Sequence, residues 1–159
     1  MEAPIIKNMI EKQPNRGILL NRLKLEFTDK GELKMRKTVA TDKAPAAIGP
    51  YAQANVIGNL VFTSGQLGMV PETGELAEGL EAQTRQVFAN LKAVLEEAGS
   101  GLDKIVKTTC FMADMKDFAA MNAIYAEYFD GEFPSRSAVQ VAALPKGGLL
   151  EIEAVAYIG

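Results

Sequence analysis

The segment from Glu81 to Ala98 carries Val87, Leu91, Val94, Leu95 and Ala98 at helical spacing, and Gly99 follows directly. Apolar residues at that period share one face of a helix, and a glycine just beyond is a common stop. The chain therefore holds a helix with one dry side, and that side must lie on something. Its neighbours in sequence supply a sheet. "AQANVIG" and "LVFTSG" read as strands joined at Gly58-Asn59, a two-residue hairpin pattern. "RKTVAT" is a shorter strand, "TDKAPAAIGPY" a loop broken by Pro45 and Pro50, and "VPETGE" a turn. "KIVKTTCFMAD" reads as a further strand. Asp117 is placed to cap a second helix running to about Phe129, packed through Phe118, Met121, Ile124, Tyr125 and Tyr128. Arg136 to Ala143 and Leu149 to Ile158 are the last strands, and Lys146-Gly147-Gly148 reads as a hairpin loop between them.

The order strands, helix, strand, helix, strands predicts an α+β domain, a mixed sheet with two helices on one face. No third helix is left for the other face, so another copy of the chain is the expected cover.

What the chain lacks narrows its chemistry. It has no His, which removes Ser-His-Asp and Cys-His catalysis and most zinc sites. Its one Cys, Cys110, cannot form an internal disulfide and fits a reducing cytoplasm. The net charge of −3 and the absence of a basic stripe disfavour nucleic acid as a partner. No apolar run approaches a membrane span, and no secretory signal is evident at the start. "PKGGLL" is glycine-rich but lacks the context of a phosphate cradle.

The chain divides near Met35. Residues 1–34 hold seven Lys/Arg and five Asp/Glu, a net of +2; the whole chain is −3, so residues 35–159 carry −5. "GILLNRLKLEF" could form a short helix or strand, but nothing continues its period. Met35 followed by "RKTV" resembles a natural start, and Lys30-Gly31-Glu32 can be encoded by purines alone, as a translated ribosome-binding site would be. We expect residues 1–34 to be an extension outside the functional domain, which occupies 35–159.

Several residues could carry chemistry. Arg136 stands at the mouth of the small-residue strand "SAVQVAALP", behind Pro134-Ser135. A guanidinium there needs an anion, either a structural carboxylate on Glu151 or Glu153 or a ligand carboxylate gripped by the planar fork. Glu151 and Glu153 alternate onto one strand face opposite Leu150, Ile152, Ala154 and Ala156. They form a polar edge or hold water, and Arg136, on the preceding strand, is a natural cation to relieve their repulsion. Tyr51 follows Gly49-Pro50 and either anchors its loop or lines a pocket. Gly65, in "TSGQ", exposes backbone at a strand end. Cys110 reads as a small core residue.

Together, "APAAIGPYAQA", "TSGQLG", "KIVKTTCFMADMKDF", "MNAIYAEYF" and "FPSRSAVQVAALPKGGLLEIEAVA" resemble the reactive intermediate/imine deaminase (RidA/YjgF) family, from about Met35 to Gly159. The resemblance implies a chorismate-mutase-like fold and a homotrimer whose sheets form a central barrel with clefts between subunits. It implies hydrolysis of 2-iminobutanoate and 2-iminopropanoate (2-aminoacrylate), released by pyridoxal-phosphate enzymes, to 2-keto acids and ammonia, with neither metal nor organic cofactor. By the same resemblance, Arg136 clamps the substrate carboxylate, Glu151 places the hydrolytic water and Tyr51 stands at the cleft mouth. Gly65 and Asn122 shape the pocket. At Ala138 relatives often carry Cys; its main-chain carbonyl can still accept from the imine N–H. The competing expectation is a non-catalytic carboxylate-binding regulator or chaperone-like member of the superfamily.

Overall fold

The computed structural model describes residues 12, 26–27, 33–34 and 36–159. The chain divides into two compact units, Met1–Lys37 and Thr38–Gly159. In the first, the two-residue strands β1 (Glu26–Phe27) and β2 (Leu33–Lys34) pair antiparallel. The rest of "GILLNRLKLEF" lies outside the described residues.

The main sheet contains β3 (Lys37–Val39), β4 (Ala54–Ile57), β5 (Leu60–Thr63), β6 (Gln66–Leu67), β7 (Ile105–Met112), β8 (Ser135–Gln140) and β9 (Leu150–Tyr157). Its order is β3-β4-β5-β9-β7-β8, with β6 also paired to β9. β4 and β5 form the expected hairpin, with Gly58 at φ 62° in its turn. β7 and β8 run parallel and the other pairs named in the register are antiparallel, so the sheet is mixed.

One expectation needs correction. β8 and β9 are not a hairpin, because β7 lies between them. The chain leaves β7, passes through helix α2 (Phe118–Ala126) and returns parallel to it, as a parallel pair requires. Residues 145–148 then carry it past the end of β7, through a 3-10 turn at Pro145–Gly147. Val141 N–H to Met112 O (3.0 Å) and Ala113 N–H to Leu149 O (2.9 Å) fix that crossing.

Helix α1 (Gly79–Glu97) ends as expected: Gly99 takes φ 83° and its N–H donates to Glu96 O. Its Val87, Phe88, Leu91, Val94 and Leu95 are wholly buried. Each such side chain contributes about 2 kcal/mol from burial, before conformational entropy is charged against it. α2 stops at Ala126, shorter than its apolar pattern suggests, and the Asp117 side chain makes no cap bond. Asp114 does the capping instead, accepting from Lys116 N–H in the 3-10 turn that precedes the helix.

Both helices cover the sheet face bearing Val61, Cys110, Leu150, Ile152, Ala154 and Ala156. The opposite face carries Phe62, Val155, Thr109, Glu153, Phe111, Glu151 and Val139, by strict alternation and pairing. Among the described residues no element covers that face, and Phe62 and Val139 stay 41% and 46% exposed.

Candidate active site

Glu151 and Arg136 lie in different places. Register pairs Arg136 with Thr108 and Thr108 with Ala154, on the helix-covered face. It pairs Glu151 with Phe111 and Leu67, on the uncovered face. The side chains therefore leave the sheet in opposite directions, two strands apart. Among the described residues no ion pair reaches Arg136, so the expected relief of Glu151 and Glu153 by Arg136 within one chain is overturned. An odd separation in ladder position, invisible until the crossover is known, produces this result.

The Glu151 half is a cleft of about 330 Å³, walled by Tyr51, Gly65, Leu67, Met69, Pro45 and Pro145 among others. Three features build it. First, β5 gives way to β6 at Ser64-Gly65, and Thr63 Oγ1 accepts from Ala154 N–H at 2.9 Å across the break. Second, a Cβ on Gly65 would collide with the Glu151 carboxyl group, its Cδ 2.6 Å away, so only glycine lets the acid lie against this backbone. Third, the loop that carries Tyr51 is tied down by Gln53, only 3% exposed. Its amide nitrogen donates to Thr41 O (3.0 Å) and Pro45 O (2.8 Å), and its oxygen accepts from Thr41 N–H (2.6 Å). Gln53 was not among the expected site residues. A lone amide between Tyr51 and a strand gives no pattern that separates it from any surface glutamine.

Tyr51 is half exposed at the cleft, its hydroxyl within 3.4 Å of Ile48 N–H. Burial raises the Glu151 carboxyl above its ordinary pKa, and the neighbouring Glu153 charge adds to the rise. A half-buried carboxyl with a raised pKa is a better proton acceptor than an ordinary one and can give the proton back.

The Arg136 half lies under α2. Arg136 Nη2 donates to Asn122 Oδ1 at 2.6 Å. Its guanidinium carbon sits 4.4 Å from the Tyr125 ring centroid and 5.4 Å from that of Phe118. Nη1 is buried and, among the described residues, has no hydrogen-bond partner. Leaving such a donor empty costs about 1–3 kcal/mol, which an incoming oxygen anion would recover. Asn122 thus holds the cation, and Phe118 and Tyr125, expected only as packing, form its floor.

β8 is an edge strand. Since Val141 N–H faces β7, alternation turns the backbone groups of Arg136 and Ala138 outward. Cys110, directly across from Ala138, is buried, and burial pushes its thiol up to about 11. It is a core residue, not a nucleophile. Among the described residues no group of acidic, Cys or His side chains could hold a metal, and no helix is long and apolar enough to cross a membrane.

A family model described as Endoribonuclease L-PSP matches residues 41–158. Over 125 residues the chain is 51% identical to a 2-iminobutanoate/2-iminopropanoate deaminase of Salmonella typhimurium, covering 77% of this chain and 98% of that protein. It is 47% identical over 126 residues to the protein of the same name in Bos taurus, covering 79% and 92%. The crystal structure of RidA from the Antarctic bacterium Psychrobacter sp. PAMC 21119 superposes with a TM-score of 0.75 at 52% identity, over 77% of this chain and 99% of that one.

Proposed function

Because the chain belongs to the Endoribonuclease L-PSP family, and relatives about half identical to it are named 2-iminobutanoate/2-iminopropanoate deaminases, we propose that it hydrolyses 2-imino acids to 2-keto acids and ammonia. The observation that carries the site assignment is the unpaired Nη1 of Arg136, on a cation whose Nη2 is fixed by Asn122.

The mechanism needs little. The substrate carboxylate binds Arg136 through Nη1, as a guanidinium fork favours. Glu151, its pKa raised, accepts a proton as the water oxygen bonds to C2 and the C=N electron pair moves to nitrogen. Glu151 returns that proton to the nitrogen, giving the neutral carbinolamine; it then takes the carbinolamine hydroxyl proton as the C=O bond forms and passes it to the nitrogen as the C–N bond breaks, releasing ammonia. Through these steps Glu151 ends as it began, and one water is consumed for each ammonia released. The Ala138 carbonyl accepts from the imine N–H, Tyr51 closes the cleft mouth, and Gly65 keeps the Glu151 carboxylate against the backbone. Orientation with acid–base help accounts for useful acceleration of a substrate that is already electrophilic.

Arg136 with Ala138 and Asn122 forms one half of each site, and Glu151 with Tyr51 and Gly65 forms the other. The two halves belong to neighbouring subunits. A homotrimer of chorismate-mutase-like protomers, with the uncovered sheet faces lining a central barrel, brings them together. The apolar Phe62 and Val139 on that face support this assembly. The working domain is residues 35–159, with 1–34 outside it, and the protein acts in the cytoplasm.

The test is a coupled assay. A dehydratase generates 2-aminoacrylate, and keto-acid formation is followed with and without this protein. Acceleration supports the deaminase. Binding of a keto acid without acceleration would instead favour a carboxylate-sensing regulator.

A further inference from the structure

The cradle around Arg136 is built at helical spacing. Phe118, Asn122 and Tyr125 stand at i, i+4 and i+7 of α2, so all three share one stripe of the helix. That stripe lies over the edge strand β8. The Tyr125 ring takes the guanidinium at 4.4 Å, Phe118 flanks it at 5.4 Å, and Asn122 Oδ1 fixes Nη2 at 2.6 Å.

Tyr125 is itself locked from three sides. Its hydroxyl shares a 2.8 Å hydrogen bond with Thr108 Oγ1, and Thr108 is both fully buried and the register partner of Arg136. Its ring meets Phe88 of α1 edge-on at 5.5 Å and Phe129 at 4.9 Å. At 3% exposure, Tyr125 has no room to turn. An ordinary arginine loses much rotamer freedom when it grips a ligand. Here that freedom is spent in folding, and one nitrogen is left without a partner among the described residues.

We infer that Tyr125, anchored by Thr108, is a positioning residue for substrate carboxylate recognition, acting through Arg136 by holding its guanidinium over the ring. This rests on the reading of Arg136 as the carboxylate clamp. Tyr125 touches no reacting atom. Its contribution is uniform binding of ground and transition states, so its loss appears in KM and not in kcat.

The experiment uses the full chain with enzymatically generated 2-aminoacrylate. Tyr125→Leu removes the ring; it raises KM about tenfold and leaves kcat within about twofold, in line with a desolvated cation–π contact. Tyr125→Phe keeps the ring, loses only the Thr108 bond, and stays within about threefold of the parent KM. In an Arg136→Ala background, Tyr125→Leu produces no further rise, because the two act as one unit. Should Tyr125→Leu fail to fold, Asn122→Ala on the half-buried helix surface carries the same prediction of raised KM at constant kcat. A fall in kcat with KM unmoved, or a full additional loss in the Arg136→Ala background, overturns the inference. If Arg136→Ala itself hydrolysed the substrate normally, the clamp reading would fail first, which separates the two.

Discussion

The two halves of the site are prepared by opposite means. Around Arg136 the fold supplies aromatic rings, one amide and an edge strand, and these immobilise a charge that never changes. Around Glu151 it supplies a missing side chain at Gly65, partial burial and a second carboxylate, and these loosen the hold of a charge that must come and go. A permanent cation can be fixed by packing. A carboxyl proposed to carry a proton is helped instead by a raised pKa, and burial raises that of Glu151. Within one chain the halves also leave the sheet on opposite faces.

That contrast can be broken at several points, with effects of decreasing size. Arg136→Ala removes the charge outright and lowers kcat/KM by about 10³-fold, measured by keto-acid formation from 2-aminoacrylate. Glu151→Gln keeps the shape but cannot take a proton. It lowers kcat by about 10²-fold with KM little changed and the assembly intact on size exclusion. Gly65→Ala leaves both charged residues in place and forces the Glu151 carboxylate aside; a kcat loss of about tenfold is expected, with the melting temperature recording any cost to the fold.

The smallest effect is on pH. Glu151 ionises above the ordinary carboxylate value of about 4.3, so the acid limb of kcat/KM lies above that value, and activity falls as pH drops through it. Glu153→Gln removes the second cause of the shift and moves the limb down. The stability sign is the reverse of a salt-bridged acid. The folded pKa exceeds the unfolded one, so the Glu151 contribution is present at low pH and lost as pH rises through the raised value. An unfolding series in pH on Glu151→Gln, which should lack that slope, checks it.

Much of the architecture was legible because it depends on local period. The α1 stripe, the Gly58-Asn59 turn, the Gly99 stop and the alternation of Glu151 and Glu153 all follow from spacing along a few residues. The order of strands does not. Whether Lys146-Gly147-Gly148 joins neighbours or crosses β7 is decided by where β7 and α2 settle, a long-range matter. That one difference removes Arg136 from Glu151 and Glu153 within one chain, where adjacent strands would have paired them. Among site residues, Tyr51, Gly65 and Glu151 do gather in one cleft. Gln53 and the ring floor of Arg136 were hidden, the first by its ordinary appearance and the second because Phe118 and Tyr125 also satisfy a packing pattern.

The central claim is that each active site joins Arg136 of one subunit to Glu151 of the next. Mixing inactive Arg136→Ala and Glu151→Gln chains, unfolding them and reassembling them together tests it directly. If the site spans subunits, random assembly of equal amounts leaves about one site in four with both residues intact, and roughly a quarter of the parent activity returns. If the mixture stays as inactive as either variant alone, the two residues serve the same site within one chain or different purposes altogether, and the account is wrong.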